Sequence, residues 1–228
     1  MIHILLEGSN IRAKWLYREL KHYIKPFHRV AVVAFSFRDS RIKDLSDWNA
    51  WYGKPEGKAY REIVGGFAAY GIPSEQISFL NYFTDTRETA SLKIRNADII
   101  YFLGGLPDRM MERIKEFDLE TLLVGHRGIM MGYSAGALIQ LAEYHLSPDH
   151  DYPSFCYGDG LACIDGFYLE VHYEGTKIQK ESIRKVIAER GKTVYATSLM
   201  KGAVLWDEGK VRLIGEVYEF HNGKEVSL

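Results

Sequence analysis

Two cysteines, Cys156 and Cys163, are all that 228 residues contain. Their spacing fits no zinc pattern and indicates no disulfide framework, so reduced thiols in a cytosolic protein are expected. No apolar run approaches the ~20 residues of a membrane-spanning helix. Neither sign of charge dominates: 29 Lys and Arg stand against 30 Asp and Glu, which gives no bulk attraction to nucleic acid or to a membrane surface. The first eight residues, Met1-Ile2-His3-Ile4-Leu5-Leu6-Glu7-Gly8, lack a basic region followed by a long apolar one. They read as a first strand and not as a signal peptide. Internal repeats, low-complexity tracts and linkers are missing as well, so residues 1–228 read as a single domain.

What is present is an alternation of strands and helices. Residues 2–6, 30–35, 77–80, 99–103 and 129–131 are short apolar runs, as expected of parallel strands covered on both faces. Helical periodicity predicts helices over 13–24, 59–70, 86–95 and 109–117, with 121–124 extending the last of these or forming a short strand. The polar and aromatic stretch 36–57 reads as a long connection at a strand's C-terminal end, where α/β sheets bind ligands. Its Arg38, Arg41 and Lys43 suit an anionic ligand, or equally a solvated loop. Helix-forming residues run from Ala135 to about Tyr144, 145–160 reads as loop, 167–172 as a strand and 182–190 as a helix. Hairpins are predicted at the end: 204–206 with 211–214 across Asp207-Glu208-Gly209, and 217–220 with 225–227 across Asn222-Gly223. The expected fold is α/β: a doubly wound, mostly parallel sheet flanked by helices, with an antiparallel C-terminal β extension.

One stretch carries chemistry. Gly132-Tyr133-Ser134-Ala135-Gly136 is a G-x-S-x-G pattern between the apolar strand 129–131 and a helical run. That is the strand-turn-helix setting of a nucleophile elbow. Small neighbours let strand and helix pass closely at the strained Ser. The Ala135 N–H then lies at a helix N-terminus, where an oxyanion develops. The plainer alternative makes Ser134 an N-cap.

A nucleophilic Ser needs a base and an orienting carboxylate. Of eight His, His172 ends the strand 167–172 and reaches the Ser134 edge if that strand runs parallel to the elbow strand. His145 and His150 follow the elbow helix, which is expected to carry them away. Asp149 or Asp151, in the loop between Ser134 and His172, can hold the imidazole, and Glu170 shares a strand face with His172. Ordinary turn chemistry beside Pro148 and Pro153 explains the two Asp as well. Gly104-Gly105 follows another strand on the same edge and can present an N–H to an oxyanion.

Together these pieces resemble the dipeptidase E (α-aspartyl dipeptidase) and cyanophycinase family of serine peptidases. That family's fold is similar to class I glutamine amidotransferases, a flavodoxin-like arrangement, with Ser in place of the Cys nucleophile. Gly132-Tyr133-Ser134-Ala135-Gly136-Ala137 resembles the G-W-S-A-G-A elbow, Tyr101-Phe102-Leu103-Gly104-Gly105 the strand with its G-G-G-N loop, and Val171-His172-Tyr173 the P-H-F segment of the catalytic His. Leu106-Pro107 replaces Gly-Asn, leaving the Leu106 N–H but none from Pro107. Asp149 falls where the family has an Asp sometimes assigned to the relay. Residues 197–201 hold no carboxylate where some members have a late Glu. Lys177, Lys180 and Arg184 are the candidates for the family's substrate-binding Arg residues.

The resemblance thus implies a serine hydrolase acting on short peptides through Ser134, His172 and Asp149. Gly105 or Leu106, with Ala135, forms the oxyanion hole. No metal or organic cofactor is implied. The expected partner is a small peptide substrate, with no nucleic acid and no membrane, and a homodimer is a possible assembly. Two other readings stay open: a catalytically inactive ligand-binding protein on the same fold, which the altered glycine loop favours, and an α/β-hydrolase esterase.

Overall fold

The parallel strands β1 (Ile2–Leu6), β2 (Val30–Val33), β3 (Ile77–Leu80), β4 (Ile99–Phe102) and β5 (Ile129–Tyr133) form the centre of the molecule in the order β1-β5-β4-β2-β3. The computed structural model describes residues 1–221 and the backbone of residues 224–227. Side chains alternate along each strand. Leu5, Val33, Phe102 and Met130 enter one core, whereas Ile4, Val32, Tyr101 and Met131 enter the other. Both faces are therefore dry, which is why these strands read as unbroken apolar runs.

On the second face lie α1 (Lys14–Leu20), α2 (Leu45–Tyr52) and α3 (Lys58–Ala68), through Leu16, Leu20, Trp48, Ile63 and Phe67. The first face carries α4 (Arg87–Arg95), α5 (Pro107–Glu116) and α6 (Glu120–Val124), through Ala90, Ile94, Met110, Ile114 and Leu123. Local chemistry sets their ends. Thr86 caps α4 in a capping box with Thr89, and Pro107 occupies the first turn of α5, where its missing N–H costs nothing. Helix α2 lies inside the stretch expected as loop, because the Asp44 carboxylate accepts from Asp47 N–H and Trp48 and Tyr52 reach the core.

After β5 comes α7 (Ala135–Leu138), one turn long instead of reaching Tyr144. The chain leaves helical geometry because 139–142 find partners elsewhere: Ala142 N–H donates to Ile164 O, and Leu161 N–H to Ile139 O. A hairpin of β6 (Glu143–Leu146) and β7 (Cys156–Asp159) then occupies most of the region expected as loop. Next come β8 (Phe167–Tyr173), α8 (Lys177–Arg190), β9 (Thr193–Asp207), β10 (Lys210–His221) and β11 (Lys224–Ser227).

The C-terminal extension is antiparallel, as expected: β9 pairs with β1, β10 with β9 and β11 with β10. Glu208 and Gly209 both have positive φ in the β9–β10 turn, as a two-residue hairpin requires. The expected turn at Asn222-Gly223 lies outside the described residues. Among the described residues no helix is long and apolar enough to cross a membrane.

One register positions the site. The first part of β9, Thr193–Ser198, pairs with β8, and its last part, Ala203–Asp207, pairs with β1. Strands β1 and β8 therefore lie along the same side of β9 and meet end to end, C-terminus against C-terminus. A parallel run beside the elbow strand is the condition under which the sequence brings His172 to the Ser134 edge. Strand β8 runs antiparallel to it instead, yet its C-terminal end arrives at the same point.

Candidate active site

Ser134 joins β5 to α7 with φ 51° and ψ −119°. A non-glycine residue holds that conformation only under constraint, and the constraint here is close packing. A Cβ on Gly132 would lie 2.3 Å from Gly136 O, and one on Gly136 2.3 Å from Phe102 O. The Ser134 N–H is fixed by Leu6 O at 3.0 Å. Its side chain caps nothing, so the N-cap alternative does not describe it. The hydroxyl faces His172 Nε2 at 2.8 Å.

His172 also has positive φ, 55°, at a register shift in β8 between Glu170 and Tyr173. The shift turns the imidazole out of the strand's alternation and towards β1. There its Nδ1 meets the Oε1 carboxylate oxygen of Glu7, the residue that follows β1. Glu7 is 1 % exposed, and its other oxygen accepts the Met200 N–H. A buried carboxylate at Nδ1 requires the N–H there, which leaves Nε2 as acceptor for the Ser134 hydroxyl.

Glu7 is not one of the three carboxylates expected from the sequence, and those three are engaged elsewhere. Asp149 Oδ1 accepts the backbone N–H of Asp151 and of Tyr152, each at 2.8 Å, in an Asx turn. Asp149 still lines the cavity beside Ser134. Asp151 is paired bidentately with Arg38. Glu170 is buried against His145 Nε2 at 2.6 Å and accepts the Ser147 hydroxyl at 2.8 Å. His145 thus stays near the site, brought back by the β6 strand that replaces the expected helix. A signal for Glu7 did exist: it is an acidic residue directly after an apolar strand, on the edge that also carries Gly104 and Ser134.

The oxyanion candidates separate. Ala135 is the first residue of α7, whose N–H has no intrahelical acceptor. Gly105 borders the same cavity with φ 143°, a conformation essentially reserved for glycine. Leu106 does not fit the expected role, because its N–H donates to Ser36 O at 2.8 Å.

Ser134, Ala135, Gly105, Pro107 and Arg38 border a cavity of about 260 Å³. A second, of about 360 Å³, lies across His172 and is lined by His145, Glu170, Ile178 and Gln179. Lys177, Lys180 and Arg184 border neither. Lys177 pairs with Glu181 one helical turn on, at the solvent. The basic side chain at the site is Arg38, from the polar stretch before α2. A larger groove of about 720 Å³, between α4 and α6, contains neither Ser134 nor His172. Among the described residues no group of three or more His, Cys, Asp and Glu converges as a metal site.

The floor under the elbow is neutral. His3 is fully buried, and burial lowers its pKa to about 4. Its Nδ1 lies 3.0 Å from Gln140 Oε1, and Gln140 Nε2 donates to Gly136 O at 2.9 Å. Burial also raises the Cys163 thiol to about 11, well above a reactive range.

Comparison with known proteins gives the family and the fold. Residues 62–214 match the family model Peptidase family S51, a span that includes Ser134 and His172 but not Glu7. A structure from Listeria monocytogenes EGD-e, of a protein assigned to peptidase E, superposes with a TM-score of 0.64 at 16% identity, covering 94% of this chain and 98% of that one. A peptidase from an acI-B1 Actinobacterium superposes with a TM-score of 0.59 at 15% identity, covering 100% and 96%. At these identities the two structures share the fold. No curated protein sequence matches the chain significantly.

Proposed function

Because the chain belongs to peptidase family S51 and is a serine-type peptidase, we propose that it cleaves short peptides with Ser134 as nucleophile, His172 as base and Glu7 as the acid that orients the base. The observation that carries this reading is the contact of 2.8 Å between Ser134 Oγ and His172 Nε2, with the buried Glu7 carboxylate on the opposite ring nitrogen.

The chemistry follows from those atoms. As Oγ attacks the scissile carbonyl carbon, its proton passes to Nε2. The imidazolium is stabilised by Glu7, whose burial concentrates the interaction. The carbonyl oxygen becomes an oxyanion facing the N–H groups of Ala135 and Gly105. Collapse of the tetrahedral intermediate breaks the C–N bond, and Nε2–H protonates the departing amine. Water then attacks the acyl-enzyme by the same route, returning the proton to Oγ and releasing the acid.

A cavity of about 260 Å³ suits a dipeptide-sized substrate better than a folded chain. Free Cys156 and Cys163 favour a reducing compartment such as the cytosol. The test is labelling by a fluorophosphonate together with hydrolysis of a dipeptide library, wild type against Ser134→Ala. Labelling and turnover are expected only in the wild type. Equal turnover by both proteins would remove the assignment.

A further inference from the structure

The two strand-edge loops beside Ser134 are joined by one side chain that the mechanism above does not use. Ser36 lies just past β2, is 1 % exposed, and donates its hydroxyl to Gly104 O at 2.6 Å. Its own carbonyl accepts the Leu106 N–H at 2.8 Å. Ser36 therefore grips the glycine loop at the peptide before Gly105 and at the peptide after it.

The consequence is geometric. The Gly104–Gly105 peptide is trans, since Lys54-Pro55 is the cis bond among the described residues. In a trans peptide the C=O and N–H point to opposite sides. With Gly104 O held by the Ser36 hydroxyl, the Gly105 N–H faces away from Ser36. It donates to no protein acceptor among the described residues, and Gly105 borders the cavity with Ser134 and Ala135. The Leu106 N–H, the other candidate donor, is drawn to Ser36 O and out of use. The fit admits only glycine, because a Cβ on Gly105 would stand 2.2 Å from Ser36 O.

Ser36 is held in turn. Arg113, 5 % exposed on α5, donates Nη1 to the carbonyls of Phe35 and Phe37, the residues on either side, and pairs through Nη2 with Asp39. Helix α5 starts directly after Leu106, so its guanidinium reaches back to brace the segment that braces the loop. A guanidinium this deeply buried, engaged with two carbonyls and a carboxylate, is a rigid support.

We propose that Ser36 is the positioning residue of the oxyanion hole: its hydroxyl orients the Gly104–Gly105 peptide so that the Gly105 N–H, and not the Leu106 N–H, faces the developing oxyanion above Ser134. This inference rests on the serine peptidase reading given above.

The experiment measures the rate constant of inactivation (kinact) and the binding constant (KI) of a fluorophosphonate probe, whose phosphoryl oxygen occupies the oxyanion position. Wild type, Ser36→Ala and Ser36→Thr are compared, with Ser134→Ala as blank. Ser36→Ala is expected to lower kinact roughly tenfold to a hundredfold, the range for a misplaced or lost donor. KI and the midpoint of the pH profile stay at wild-type values, because the His172–Glu7 pair is untouched. Ser36→Thr, which keeps the hydroxyl, restores most of the rate. A merely structural role would lower the fraction of active molecules and not the rate constant of those that remain. Should Ser36→Ala fail to fold, Ser36→Cys takes its place with the same expectation, since its thiol keeps the volume but donates weakly. Unchanged kinact in Ser36→Ala, or Ser36→Thr no faster than Ser36→Ala, overturns the inference while leaving the peptidase reading intact. A wild type labelled no faster than Ser134→Ala removes the peptidase reading, and this inference with it.

Discussion

The Glu7 carboxylate and the His172 imidazole, 165 positions apart in the chain, meet where the C-terminal ends of β1 and β8 abut along β9. Glu7 is almost fully buried, and His172 is about half exposed at the cavity. The contact therefore holds an imidazole at the surface against a fixed carboxylate inside the protein, the arrangement that orients the ring in the proposed triad.

Glu7→Gln should keep the fold and lose the carboxylate that orients the His172 ring. An amide at this position can present its N–H₂ to the ring and favour the wrong tautomer, so turnover is expected to fall roughly 10²-fold or more. Asp149→Asn leaves the His172 contact untouched and should keep the pH midpoint of kcat. Dipeptide hydrolysis by the two variants separates the acids. Near-wild-type turnover in Glu7→Gln would end the case for Glu7.

The elbow should not tolerate a methyl group. In Gly136→Ala the added Cβ meets Phe102 O at 2.3 Å, a backbone atom that cannot swing aside. A loss of about 1–3 kcal/mol is expected, with fluorophosphonate labelling reduced further than stability because Ser134 is displaced. Urea titration and labelling on the same sample check both parts.

His3 makes stability depend on pH. Burial lowers its pKa from 6.5 to about 4, so between those values the unfolded chain binds a proton that the native chain refuses. Stability from this group is complete above pH 6.5 and is lost as pH falls towards 4, by about 3 kcal/mol in all. His3→Asn, which keeps an amide donor towards Gln140, should flatten that part of the profile. Urea midpoints across the window test it, and equal slopes in both proteins would rule it out.

The buried partnership of His145 with Glu170 is structural. Replacing His145 by Leu leaves Glu170 buried without its main partner, and a cost of about 3–5 kcal/mol is expected. Glu170 does not touch His172, so the folded fraction should retain the wild-type pH midpoint of turnover. Thermal melting and a pH–rate profile measure the two effects.

Charged substrate contacts should come from Arg38 and not from Lys177, Lys180 or Arg184. Substituting Lys177, Lys180 and Arg184 together by Ala should leave KM unchanged, since none of them borders a cavity at the site. Arg38→Ala removes a charged donor from the cavity wall and should raise KM about tenfold with kcat retained. The reverse pattern would return the substrate-binding role to Lys177, Lys180 and Arg184.

Much of this protein was legible in its residues, for local reasons. Apolar runs of four or five residues mark strands covered on both faces, and Gly132, Ser134 and Gly136 mark a bend that only small neighbours permit. The resemblance to dipeptidase E, read from that bend, Gly104-Gly105 and Val171-His172-Tyr173, holds in the family match. What the chain does not spell out is which distant ends touch. A strand's direction within the sheet depends on its pairing partners, so the sequence left the direction of β8 conditional, and it lies antiparallel to the elbow strand. The acid beside the imidazole follows from the same pairing: loop position offered Asp149 or Asp151 and the family resemblance singled out Asp149, whereas β9 holds β1 and β8 tip to tip and delivers Glu7. Ser36, likewise unmarked in the sequence, acquires its role because β2 and β4 are neighbours. Side-chain type and spacing are written locally, but a hydrogen bond across the sheet exists only once the strands have chosen their neighbours.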